Sequence, residues 1–208
     1  LKKVISDTFF DDVLAIHDTT KELNTKTKCV NTMVDIIQQS KDKVTLSSKL
    51  VAQYKASTSD IDKLSYVRIM GATGTNEALT ILTENLKSTN PIHVQSATRG
   101  FGKWPDLKPF ADLANAYASS GSNSSKIRKD ILTFFDTNEA ATDAEKIDMW
   151  KKLITAAPDN RETRQLVGWI SSQDSTVSTA VLKHILTIPN FDEKSKERAQ
   201  DILDKRMK

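Results

Sequence analysis

Histidine, cysteine and closely spaced glycine or acid pairs are the residues of this 208-residue chain with the widest chemical repertoire. The three histidines are His17, His93 and His184. Metal binding or proton transfer on a helix needs a second His, Cys or carboxylate in an HExxH-like arrangement, and none of the three has one. They read as surface or boundary histidines. Gly100-Phe101-Gly102 invites a phosphate-loop reading. A dinucleotide fingerprint needs a strand before it and a third glycine at 105, where Pro105 stands, and no Gly-Lys-Ser/Thr occurs. The Gly-x-Ser-x-Gly elbow of a serine hydrolase is absent as well. Asp11 and Asp12 are adjacent, so on a helix they point about 100° apart and cannot share a proton. Cys29 is the single cysteine, which rules out an internal disulfide and a cysteine-based zinc site. It reads as a small buried hydrophobe. These residues imply no catalysis, no metal and no cofactor.

The tryptophans carry less chemistry than packing. Trp104, Trp150 and Trp169 each lie on or beside an apolar stripe and read as core or inter-repeat residues. Trp104 is the exception to watch, since a joint between helices lies at a rim. Asn123-Ser124-Ser125 matches a glycosylation acceptor triplet.

Composition bounds the rest. The chain is 38% hydrophobic and 27% charged, ordinary for a globular protein. Only 6 glycines and 5 prolines are present, too few for the turns of a β-sandwich or barrel. No apolar run has the length of a membrane span, so membrane insertion is not expected. Net charge is +3, with 30 basic and 27 acidic residues interspersed, whereas nucleic-acid binders cluster their excess. The only basic knots, Lys126-Ile127-Arg128-Lys129 and Arg161 to Arg164, read as solvated. The sequence opens on Leu1 rather than Met, which we read as a fragment or processed form of a longer protein.

Apolar spacing of three and four recurs along nearly the whole chain, the pattern of amphipathic helices. Val13, Ile16 and Leu23 carry it in the first segment, Val30, Met33, Val34 and Ile37 in the second, and Ile61, Leu64, Val67 and Met70 in the fourth. Leu107, Phe110, Leu113 and Tyr117 carry it further on. Ser59-Asp60, Thr75-Asn76-Glu77, Asn90-Pro91 and Pro158-Asp159 have the capping and breaking chemistry of helix starts. Ser119 to Ser125 (SSGSNSS) is expected to be the most flexible linker. Short helices with short joints each bury a stripe against their neighbours in a stack, so the expected class is all-α.

A repeat is visible. Arg68 falls on Arg99, Gly71 on Gly102 and Leu79 on Phe110 at an offset of 31 residues (102 − 71 = 31). In both copies a helix runs into glycine, turns and starts again. Gly71 and Gly102 suit the left-handed position that closes a helix, and Pro105-Asp106 suits the start of the next. Val67-Arg68-Ile69-Met70-Gly71-Ala72-Thr73-Gly74-Thr75-Asn76-Glu77-Ala78-Leu79, followed by Ala97 to Pro109, resembles bacterial HEAT-repeat (armadillo-type) proteins over about residues 60–118. The likeness is looser over 158–188.

The resemblance implies one HEAT-like domain over residues 1–208, a right-handed α-α superhelix of roughly five to six antiparallel helix pairs. It implies a non-catalytic scaffold or protein-interaction module, in a periplasmic or secreted setting. First helices would line the convex face and second helices the concave one. Gln53, Glu84, Lys87, Asp112, Asn115, Lys152 and Lys183 then form a mixed-charge, partner-binding surface for another protein or a neighbouring domain of the parent chain. The alternative is a HEAT-like nucleic-acid-binding module or DNA glycosylase-type enzyme, which would set Lys/Arg with Trp or Tyr on those helices. Acids alternate with bases there instead. A spacer between flanking domains is a third reading. Oligomeric state is left open.

Overall fold

The computed structural model describes residues 8–206; Leu1, on which the fragment expectation rests, lies outside them. Among the described residues there are twelve α-helices and no strand. They are α1 (Thr8–Thr19), α2 (Leu23–Gln39), α3 (Lys43–Ala56), α4 (Asp60–Met70), α5 (Asn76–Leu86), α6 (Pro91–Phe101), α7 (Phe110–Ala118), α8 (Ser124–Thr137), α9 (Asp143–Thr155), α10 (Asn160–Ser171), α11 (Ser175–Thr187) and α12 (Glu193–Arg206). The protein is all-α, with helices packed on their neighbours in sequence as in a helical-repeat solenoid.

Local chemistry sets the starts. Ser59, Thr75, Asn90, Asp159 and Asp174 each cap a helix by accepting from a backbone N–H of its first turn, satisfying donors that no helix can satisfy internally. Pro91 fills the first position of α6, where no N–H is needed. Thr142 and Glu145 form a reciprocal capping box on α9. Two expectations fail. The helix after Trp104 begins at Phe110, not at Pro105-Asp106. Asp106 Oδ1 instead accepts from Trp104 Nε1 and from the Lys108 N–H, both at 3.0 Å, and holds a turn. The SSGSNSS stretch is also shorter as a linker than expected, since Ser124 and Ser125 belong to α8. A single 3-10 turn, Gly121–Asn123, leads straight into α8.

The chain forms two compact units. In the first, which ends at Pro109 and includes Lys129–Asn138, α2, α4 and α6 lie side by side, α3 lies beside α5, and α1–α2, α3–α4 and α5–α6 pack as pairs. Val67, Met70, Leu82, Ala97 and Phe101 are fully buried between the layers. In the second, Phe110–Arg128 with Glu139 onward, α9 lies beside α11 and α10 beside α12, with α11 packed on α10 and α12. Leu153, Leu166, Val167, Val181 and Ile185 fill its core. Helices touching the next but one in sequence is the geometry that lets each short helix bury two sides.

The repeat offset is structural: α4 and α6 are both 11 residues long and each ends on a repeat glycine. That glycine does not serve as expected. Gly71 (φ −54°) and Gly102 (φ −56°) are right-handed, not left-handed. A Cβ on Gly71 would sit 1.8 Å from the Gly100 carbonyl oxygen, and one on Gly102 would sit 3.1 Å from that of Asp130. Close backbone approach between neighbouring helices demands the small residue. The left-handed position is Gly74 (φ +67°), packed against Pro105.

Candidate functional site

On α4, residues seven apart share a face, because two turns of helix return almost to the same angle. Ile61 and Arg68 are such a pair, and Ile92 and Arg99 repeat it on α6 at the offset of 31 (92 − 61 = 31). Since α4 and α6 are neighbours, two isoleucines line up at one end of a groove and two arginines at the other. Leu23 and Lys26 of α2, Lys103, and Asp130 and Thr133 of α8 also line it. The cavity volume is about 590 Å³. Leu23, Ile61 and Ile92 are 65%, 57% and 56% exposed. Periodicity assigned Leu23 and Ile61 to the core, and it fails because these helices carry a second apolar strip on their outer face. Ile16, also expected inside, is exposed.

The basic end is under tension. Arg68 Nε is buried, and no acceptor among the described residues reaches it. Burial, then the charge of Arg99, lowers the proton affinity of Arg68, while Asp130 supports it. Asp130 accepts a 2.6 Å hydrogen bond from Thr98 Oγ1. Burial nonetheless pushes its carboxyl up, against the pull of Thr98, Arg99, Lys129 and Arg68. Among the described residues neither Arg68 nor Arg99 forms an ion pair. Lys26 differs: its Nζ donates to Asp62 Oδ1 at 2.6 Å and to the His17 carbonyl at 2.8 Å. Burial opposes ionisation of Asp62, but hydrogen bonds from Lys26 and Ser59 outweigh it and hold the carboxyl low.

Beside this lies a buried polar knot. His17 is fully buried, not at the boundary as its sequence suggested. Its Nδ1 is 2.8 Å from Asp18 Oδ1, to which the Tyr66 hydroxyl also donates. Burial, then that hydrogen bond, raises Tyr66 far above the usual phenol range. Cys29 is buried as expected, and burial raises its thiol.

The second unit contains a buried carboxylate. Glu162 is 3% exposed and accepts at Oε2 from Tyr117 Oη and Arg128 Nε, both at 2.8 Å. Arg128 belongs to a basic knot that the sequence assigned to solvent, and Arg164 of the other knot pairs with Asp192 at 3.2 Å. Of the tryptophans, Trp104 and Trp150 are buried, and Trp104 packs edge-on against Phe101, which closes the rim question. Trp169 departs from expectation. It is 45% exposed, beside Arg164 and Arg198 in a shallow hollow.

The seven residues expected to bind a partner divide between the units. Gln53, Glu84 and Lys87 lie on or at the end of α3 and α5 in the first; Asp112, Asn115, Lys152 and Lys183 lie on α7, α9 and α11 in the second. Gln53 and Asp112 are half-buried and the others exposed. Lys152 is engaged with Asp148 at 2.7 Å, one helical turn away. None of the seven lines the groove, which is built from α2, α4, α6 and α8. The signal for the groove was in the repeat alignment: Arg68 over Arg99 and Ile61 over Ile92, polar and apolar residues recurring together on an outer face.

The chain matches no family model, no curated protein and no solved structure. Among the described residues no helix is long and apolar enough to cross a membrane.

Proposed function

We propose that the chain is a non-catalytic interaction module of HEAT-like type that holds a protein partner or a neighbouring domain of its own chain. The observation that carries this reading is the groove of the first unit. Three aliphatic side chains, each more than half exposed, stand there beside a buried guanidinium nitrogen that has no acceptor among the described residues. A cluster of this kind costs free energy in water and recovers it when a complementary surface covers it. The mixed-charge surface of α3 and α5, with Gln53, Glu84 and Lys87, is the second candidate face within the same unit.

Photo-crosslinking separates the faces. A benzophenone side chain is placed at Ile92 in the groove or at Lys87 on the opposite layer, and adducts are identified after irradiation in native extract. The reading expects one polypeptide to be captured at Ile92 and protected by excess unlabelled chain. Capture at Lys87 alone would move the site to the other layer. Capture of nucleic acid, or of nothing at either position, would sink the reading.

A further inference from the structure

We propose that the groove of the first unit receives an acidic, amphipathic peptide segment, one carboxylate of which lies between Arg68 and Arg99 while its apolar side chains cover Leu23, Ile61 and Ile92. This rests on the interaction-module reading and specifies the chemistry of the partner.

Charge is the first argument. The groove is lined by four bases, Lys26, Arg68, Arg99 and Lys103, against one acid, Asp130. Lys26 is neutralised by Asp62, and Asp130 is hydrogen-bonded to Thr98 rather than ion-paired to either arginine. Two guanidinium groups on neighbouring helices thus line one cavity together with one half-buried acid, Asp130. An incoming carboxylate offsets the mutual repulsion of the two arginines that line the cavity. Guanidinium is the group for this, because its planar fork takes both carboxylate oxygens at once.

Shape is the second argument. The apolar row and the arginines occupy the same two faces, seven residues apart along α4 and α6, about 10 Å at 1.5 Å of rise per residue. A segment crossing the groove therefore meets aliphatic surface at one end and positive charge at the other. A phosphate backbone has no use for the aliphatic end, and a purely apolar helix leaves the arginines uncovered. A segment carrying both leucine-like and glutamate-like residues satisfies both ends.

The test is fluorescence anisotropy on the whole chain with four labelled probes of equal length: a Glu/Leu/Ala peptide, the same peptide with Lys for Glu, oligoglutamate, and single-stranded oligothymidylate. The Glu/Leu/Ala peptide is expected to bind, its Lys counterpart not to bind, and oligoglutamate to bind about tenfold more weakly. Arg68→Met and the exposed Arg99→Met are each expected to weaken the first probe about tenfold, and Ile92→Ser to weaken it without affecting oligoglutamate. Circular dichroism melts check that each variant is folded, and Arg99→Met carries the test if Arg68→Met is not. Equal binding of the Lys peptide, or unchanged affinity in the folded arginine variants, overturns the proposal. Tighter binding of oligothymidylate with the same arginine dependence overturns it in favour of a nucleic acid. A crosslinked polypeptide at Ile92 whose contact segment lacks acids overturns this proposal and leaves the module reading standing.

Discussion

Two half-buried arginines, one in each unit, have opposite surroundings. Arg128 in the second unit donates to Glu162, which also receives the Tyr117 hydroxyl, so that cation, anion and phenol close on one another. Arg68 in the first unit has a buried Nε with no acceptor among the described residues and a second arginine nearby. A folded chain either pairs a charge that it withdraws from water or leaves part of that group facing solvent. The first arrangement is architecture. The second is the arrangement that the proposed acidic segment would complete.

The largest expected effect tests the architectural half. Glu162→Ala leaves Arg128 and Tyr117 without their shared acceptor and should cost about 3–5 kcal/mol, the scale for breaking a buried ion pair from one side. Urea unfolding of the variant against the parent measures it. The double variant Glu162→Leu, Arg128→Met should recover most of the loss, since replacing both partners removes the uncompensated charge. A Glu162→Ala cost below about 1 kcal/mol would put this pair among ordinary surface pairs and dissolve the contrast.

Glycines sharpen the comparison next. Gly71→Ala in the first unit would thrust a Cβ to within 1.8 Å of the Gly100 carbonyl oxygen, a backbone atom that yields only if α6 shifts. A loss of about 3 kcal/mol is expected, at the upper end for overpacking. Gly168→Ala in α10 of the second unit meets only the end of the Arg198 side chain, at 3.4 Å. There the helix gains roughly 0.5–1 kcal/mol, because alanine loses less backbone entropy than glycine. Thermal melts of the two variants should move in opposite directions.

These glycines also show where sequence reasoning stopped. The repeat offset, the helix starts at Asp60, Asn76 and Pro91, and the all-α class were legible, because capping chemistry and periodicity are local. The role of Gly71 was not, because a right-handed glycine at a helix end is required by a neighbour 29 residues on (100 − 71 = 29), not by its own φ. Ile61 and Leu23 misled for a related reason: periodicity finds an apolar strip but not whether a helix covers it. Arg128 and Glu162 lie 34 residues apart, so their pairing left no trace in either local segment.

A smaller effect concerns Asp130, whose carboxyl is raised chiefly by burial. A folded pKa above the unfolded value means the fold favours the protonated acid. That contribution is full below the ordinary carboxylate range and is lost as pH rises through the raised folded value. Stability measured between about pH 4 and neutrality should therefore fall, relative to Asp130→Asn, as pH rises. A difference that stays flat, or grows with pH, would mean that the two arginines hold Asp130 ionised and that the groove supplies its own anion. That result would also weaken the case for an external carboxylate.

The smallest expected change in stability is the most discriminating. Arg68→Met keeps much of the side chain's volume and removes a charge that is partly desolvated and unpaired. No partner is orphaned by it, unlike Glu162→Ala, and the repulsion with Arg99 disappears. Stability should stay within about 0.5 kcal/mol of the parent, or rise. Arg128→Met should destabilise, because Glu162 is then left buried and charged. If Arg68→Met unfolds the chain as readily as Arg128→Met does, Arg68 is holding the first unit together through contacts of its stem. The groove's arginines would then be structural like Arg128, and the difference between the units would reduce to packing.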